Sequence, residues 1–300
     1  MQCPASLRGR ARVARKKREP MRTTRSILAL TLVAATSGAC ALCAQQTFTE
    51  RLMTHNSAMT EVQPGWITPL VEADPRLVQF VRFSFSHVYT SAGTQTTNYG
   101  NGRGFGLIGG KRYEFDFVPP AYLQHNSTAV DGFGDASTLV KYRIASSNAE
   151  RGNSIVTALL SHSFATGSAK NGALTDTFGP TLAGGFGFRH RFELESTLGG
   201  TLPTGKIAAQ GRSITWNALM QMHASKHVWF ELENNATFYF AGEHDGHRQN
   251  FVTPAAFYVV RRKEWQPAHP FLIFDGGMQI ATSSFHTCNH NLISEMRILF

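Results

Sequence analysis

NLISEMRILF, residues 291–300, reads as one amphipathic β-strand. Leu292, Ser294, Met296, Ile298 and Phe300 fall on one face, and Ile293, Glu295, Arg297 and Leu299 on the other, because successive side chains of a strand point to opposite sides. A strand tilted across about 25 Å of apolar membrane needs roughly ten residues, with every second side chain toward lipid. An aromatic residue at its end sits well at the membrane–water interface. Such a strand ending on Phe300 predicts an outer-membrane β-barrel whose last strand is handled by the barrel-insertion machinery, with outer-membrane lipid as its surroundings.

The N-terminal region fits export. Met21 opens a basic stretch with Arg22 and Arg25, then an apolar run from Ile27 to about Ala35, then small residues up to Ala44. This pattern predicts a signal peptide over 21–44, cut after Ala44 or Ala41. Cys40 and Cys43 invite a lipoprotein reading, but Ser37 and Cys40 stand where a lipidation motif wants leucine. Residues 1–20 read as an upstream, non-native extension, with translation starting at Met21.

The whole chain carries 29 Lys and Arg against 20 Asp and Glu, a net charge of +9. The excess is concentrated in RGRARVARKKREP and the signal peptide, so the remainder is close to neutral. The high isoelectric point therefore gives no reason to expect nucleic acid as a partner. Removal of the leader leaves Cys288 as the only cysteine, so no disulfide within the mature chain is expected.

After residue 44 no apolar stretch is long enough for a helical span. Alternating segments recur instead, at 78–90, 103–111, 112–123, 133–145, 153–164, 179–189, 191–202, 212–223, 227–240, 250–261, 269–281 and 291–300. About twelve strands are therefore expected, an even number, as closed bacterial barrels have. In HVWFELENNATFYF, Val228, Phe230, Leu232, Ala236, Phe238 and Phe240 alternate with Glu231, Glu233, Asn235 and Thr237. A charge at mid-bilayer costs about 2–4 kcal/mol, so the polar face must look inward. A soluble sandwich would also alternate, but it would not account for the export signal and Phe300 together.

The expected outside connectors, 91–102, 124–132, 165–178, 203–211, 241–249 and 282–290, are longer than the inside ones. The latter are a reversal near Gly110–Arg112, then Ser146–Gly152, Arg189–Arg191, Ala224–Lys226 and Arg262–Ala268. Residues 45–77 precede the barrel, as a periplasmic segment or a plug.

Three stretches resemble a known family. GFGDASTLVKYRI (Gly132 to Ile144), FELESTLGGTLPTGK (Phe192 to Lys206) and WITPLVEADP (Trp66 to Pro75) are similar to strand and pre-barrel elements of the outer-membrane transporters named for the meta-pathway of phenol degradation. PLVEAD differs from that family's PLVTDD. The resemblance implies an outer-membrane barrel that moves a small solute, with these motif residues mostly structural.

On these registers Arg82, Glu114, Asp116, Lys141, Arg143, Glu193, Glu195, Glu231, Glu233, Asp275, Glu295 and Arg297 point inward. They are candidates for the lining of a solute path, or for a salt-bridge network that fills a narrow interior; twelve strands fall between filled and open barrels.

His125, His244, His247, His286 and His290 are expected in outside loops, where HDGH and HTCNH hold metal-compatible residue types. No zinc-site spacing repeats, and no metal or cofactor is expected. Ser161 and Ser163 share a face that His162 faces away from, so neighbouring Ser and His cannot pair as nucleophile and base. With no G-x-S-x-G or phosphate loop, no enzyme is expected. The reading is passive transport of a small polar or modestly hydrophobic solute, with a closed, surface-binding barrel as the alternative.

Overall fold

A computed structural model describes residues 56, 58–100, 104–168, 170–189, 191–260 and 271–300. The expected extension 1–20, the signal peptide 21–44, the start of the pre-barrel segment, His190 of the Arg189–Arg191 reversal and the Arg262–Ala268 connector lie outside these residues.

Among the described residues the chain forms β1 (Phe80–Tyr89), β2 (Gln95–Tyr99), β3 (Gly104–Ile108), β4 (Tyr113–Val118), β5 (Tyr122–His125), β6 (Gly132–Phe133), β7 (Ala136–Ser147), β8 (Ser154–Phe164), β9 (Thr177–Phe188), β10 (Phe192–Pro203), β11 (Arg212–His223), β12 (Val228–Ala241), β13 (Arg248–Val260), β14 (Phe271–Ala281) and β15 (His290–Leu299). Every pairing is antiparallel, and the sheet closes where β15 meets β1, from Phe80↔Leu299 to Tyr89↔His290. β2 and β3 both pair with β1, β4 and β5 continue one line, and so do β6 and β7. The segments thus make a closed barrel of twelve staves, the number that the alternation predicts.

Three staves are broken along their length. Pro119 and Pro120 stand between β4 and β5, where the missing N–H groups interrupt the ladder. Gln95–Tyr99 was expected in a loop and is instead paired with β1, from Phe85↔Tyr99 to Tyr89↔Gln95. Its sequence, QTTNY, lacks the apolar alternation that marks a buried or lipid-facing strand, so its pairing is decided by its neighbours. This pairing shortens the first loop to 90–94, and the others at that end, 126–131, 165–176, 204–211, 242–247 and 282–289, are also shorter than expected because their flanking strands run further. The contrast with the opposite end, with its turns at 109–112, 148–153 and 224–227, is correspondingly smaller. His125 and His290 lie in β5 and β15 rather than in loops.

The barrel is polar within and apolar without. Leu198 is 56% exposed and Leu182 53%, while Thr157 and Gln221 are 0% exposed. Exposed aromatic rings gather toward both ends of the outer face. Tyr113 packs on Tyr142 at 5.0 Å, and Tyr122 on Phe133 at 5.5 Å. Paired aromatic girdles around an apolar band mark the two interfaces of a membrane. A closed sheet of this polarity leaves no unpaired edge in hydrocarbon; the protein is a bacterial outer-membrane barrel.

The interior is not simply wet. The segment leading into β1 enters the lumen from the end that holds the chain's C-terminus. Ile67, Leu70 and Val78 join Trp229, Phe257, Val259, Ile273, Ile293 and Leu299 in one buried apolar cluster. Burying such side chains yields about 25 cal/mol per Å2, so the segment, hereafter the plug, shares a dry core with the walls of β12–β15.

Candidate functional site: the plugged lumen

The inward positions change character with depth. Near the terminus end β10 presents Glu193 and Glu195, β12 Glu231 and Glu233, β14 Asp275, and β15 Glu295 and Arg297. One or two turns of the pleat toward the loops, the same strands present Thr197, Asn235, Thr237 and Asn291. β1 likewise passes from Arg82 to Ser84 and Ser86. The plug occupies the charged half.

The charges are spent on the plug's main chain. A segment mostly without secondary structure, buried in a barrel, brings unpaired N–H and C=O groups that must find partners. Glu231 accepts the Leu70 N–H at 3.1 Å, and Glu233 accepts those of Val71 and Glu72 at 2.9 and 3.2 Å. Glu114 accepts the Val78 N–H. In the opposite sense, Lys141 donates to the Arg76 carbonyl at 3.2 Å, Arg297 to that of Thr68 at 2.6 Å and Arg143 to that of Met59 at 3.0 Å. The neutral Gln221 and Thr157 donate to the carbonyls of Ile67 and Pro75. Hydrogen bonds to charged groups contribute about 1.5–3 kcal/mol each.

The charges also pair with one another. Lys141 meets Glu114 at 2.8 Å. Arg297, only 1% exposed, bridges Asp275 at 3.1 Å and Glu295 at 2.7 Å. Arg82, less buried, reaches Glu295 at 3.9 Å, and Asp116 lies beside the Lys141 and Arg82 charges. Glu193 and Glu195 face Arg76 of the plug across the lumen. All twelve candidate residues therefore project into the interior, and most act on the plug or on each other.

The plug supplies charges of its own. Arg76 forks onto Asp74, with an N–O distance of 2.7 Å, and also donates to Thr68 Oγ1 and to the Trp66 carbonyl. Burial works against the Asp74 carboxylate, but Arg76 and Lys141 more than offset it and hold its pKa below the usual carboxylate range. Glu72 has no such counter-ion: burial, then Glu233, pushes its pKa up to about 8.

Glycines shape the wall to fit. A β-carbon on Gly185 or Gly187 would stand 3.0 or 2.8 Å from the Trp66 ring, and one on Gly277 2.6 Å from Leu70 Cδ2. The GGFGF run of β9 is thus a socket for the indole, not merely a response to wall curvature. These plug residues and glycines escape sequence reading because nothing local says which wall a pre-barrel segment touches. The surplus of inward carboxylates was the available signal, since buried acceptors call for donors.

Space remains on both sides. Toward the termini a cavity of about 370 Å3 is lined by Trp66, Ile67, Trp229, Ile273 and Phe300 among others. Beside the plug, within the charged half, a cavity of about 340 Å3 includes Arg82, Asp116, Glu295 and Arg297, and toward the loops a neutral one of about 250 Å3 lies against β8–β11. His162 lies on the outer face, 3.1 Å from Asp176 and stacked on Phe178 at 4.4 Å, away from Ser161 and Ser163. Among the described residues no three His, Cys, Asp or Glu side chains converge as metal ligands do.

No family model and no curated protein sequence matches the chain. Among solved structures it is similar to an outer-membrane channel from Pseudomonas putida F1, at 14% identity and a TM-score of 0.52, over 78% of this chain and 100% of that one. It is also similar to the NanC porin, at 9% identity and a TM-score of 0.45, over 74% and 98%. A third is the translocator domain of the autotransporter NalP from Neisseria meningitidis, at 12% identity and a TM-score of 0.42, over 88% and 97%. The first of these similarities agrees with the barrel fold built above; at such identities the agreement concerns fold alone.

Proposed function

We propose that the protein is a gated outer-membrane channel of the transporter family named for the meta-pathway of phenol degradation. In this reading it passes a small solute by passive diffusion when the plug leaves the charged half of the lumen. The observation that carries the proposal is the way the plug is held. Its bonds to the wall are reversible hydrogen bonds from Glu231, Glu233, Lys141 and Arg297, and cavities lie on both sides of it. A barrel needing only a filled interior could close with the side chains of its own wall, as smaller barrels do.

The experiment is planar-bilayer conductance of the refolded protein beside a Glu231→Leu/Glu233→Leu variant. Brief, infrequent steps are expected of the unaltered chain and longer openings of the variant. A variant that folds, as judged by its heat-modifiable mobility, yet never conducts would overturn the channel reading. The closed lumen itself favours the second reading, a structural barrel whose loops bind a partner, and silence of both proteins would leave that one standing.

A further inference from the structure

The neutral half of the lumen holds a built cavity that the plug does not fill. It lies between β8, β9, β10 and β11, has a volume of about 250 Å3, and has Ala73 of the plug at its floor. Ser161, Thr181, Thr197, Thr201, Thr215 and Asn217 line it, and no acidic or basic side chain does. Drug-sized ligands fill pockets of about 300–1,000 Å3, so this one suits a smaller molecule.

Two features make it a shaped surface. Inward positions 179 and 199 are glycine; a β-carbon at 199 would stand 2.5 Å from Thr181 Oγ1, and one at 179 would run into Ser161 Oγ. The glycines leave these hydroxyls uncovered. The polar groups are also oriented. Asn235 donates its amide to Asn217 Oδ1 at 2.5 Å, Asn217 donates to Thr197 Oγ1 at 2.9 Å, and Thr215 and Thr237 share a hydrogen bond of 3.2 Å. Thr197 is thereby fixed from both sides: it accepts from Asn217 and turns its hydrogen toward the Glu72 carboxyl of the plug, so it orients the wall, while Ser161, Thr181 and Thr201 present the hydroxyls that face the cavity.

Chemistry narrows the occupant by exclusion. An ion would lose hydration and meet no opposite charge. An apolar solute would strip water from several hydroxyls and offer nothing in return. A neutral molecule with many hydroxyl groups can both donate and accept at each wall. Glu72, next to the floor, does not alter this: with a pKa of about 8 it is mostly protonated at neutral pH.

We infer that this cavity is a binding subsite for a small neutral polyhydroxyl solute of monosaccharide class. The inference rests on the channel reading above and names its solute class.

The test uses the full chain refolded in detergent, titrated with D-glucose as the neutral probe and with benzoate and choline as charged ones. Binding is read by saturation-transfer NMR and by block of single-channel current. Glucose is expected to bind and the charged probes to bind at least tenfold more weakly. The Asn217→Leu and Gly199→Val variants should weaken glucose at least tenfold; Ser161→Ala, a milder change, covers the case in which those variants fail to fold, and should weaken it severalfold. Charged probes binding as well as glucose, or folded variants with unchanged affinity, would overturn the subsite. Current steps that glucose neither blocks nor alters would sink the subsite and leave the channel intact. Glucose binding to a barrel that never conducts would do the reverse.

Discussion

The indole of Trp66 lies against the bare α-carbon of Gly185, so close that a β-carbon there would come within 3.0 Å of the ring. One residue belongs to the plug and the other to the wall of β9. Their fit makes the buried Trp66 side chain an anchor of the plug. Truncating a buried Trp to Ala costs about 3–5 kcal/mol, and here that loss falls on docking and leaves the barrel wall unaltered. Trp66→Ala should therefore raise channel open probability by at least tenfold while leaving heat-modifiable mobility intact; unchanged bilayer records would contradict the anchor.

Glu233 accepts two successive main-chain N–H groups, from Val71 and Glu72. Glu233→Leu removes both acceptors and should weaken docking by about 3–6 kcal/mol, on the scale of two charge-assisted hydrogen bonds. Limited proteolysis from the terminus side should then cleave near residues 70–72, where the unaltered protein resists.

Glu72 links docking to pH. Its pKa is about 8 when docked, facing Glu233, Asp74 and the Thr197 hydroxyl, and near the ordinary carboxylate value once released. A raised pKa in the docked state means that docking takes up a proton. Docking is therefore strongest below about pH 4.5 and weakens as pH rises through 8, by up to about tenfold per unit. Open probability should climb across that window, and Glu72→Gln should flatten the climb. A profile identical in the two proteins would rule Glu72 out as the linked group.

Arg297 bridges Asp275 and Glu295 and also holds the Thr68 carbonyl. Arg297→Met strands two buried carboxylates. Breaking a buried pair in this way costs about 3–5 kcal/mol, so the temperature at which the barrel loses its compact mobility on SDS gels should fall. Adding Asp275→Asn and Glu295→Gln should recover part of that fall, because the uncompensated charge is then gone.

The strand pattern was legible because it is local. In residues 291–300 the alternation names both the element and its two faces, and β15 pairs with β1 as that face assignment requires. Inward orientation of Glu193, Glu231 or Arg297 follows from parity alone. What parity cannot say is which partner waits inside, and the sequence left open whether residues 45–77 form a plug. QTTNY shows the same limit in the opposite direction: a polar stretch is a strand because β1 and β5 stand on either side of it.

Side-chain alternation, a property of neighbouring residues, determined the barrel, its twelve staves and the polarity of its two surfaces from the sequence by itself. Only the tertiary structure decided that side chains of the charged half of the lumen hold the plug's main chain, with Trp66 set into glycines, while the plug stops short of the neutral half. The reason is physical: a buried carboxylate calls for a donor, but the main-chain donor that Glu233 finds at Val71 lies 162 residues away in the chain, and no periodicity reaches so far.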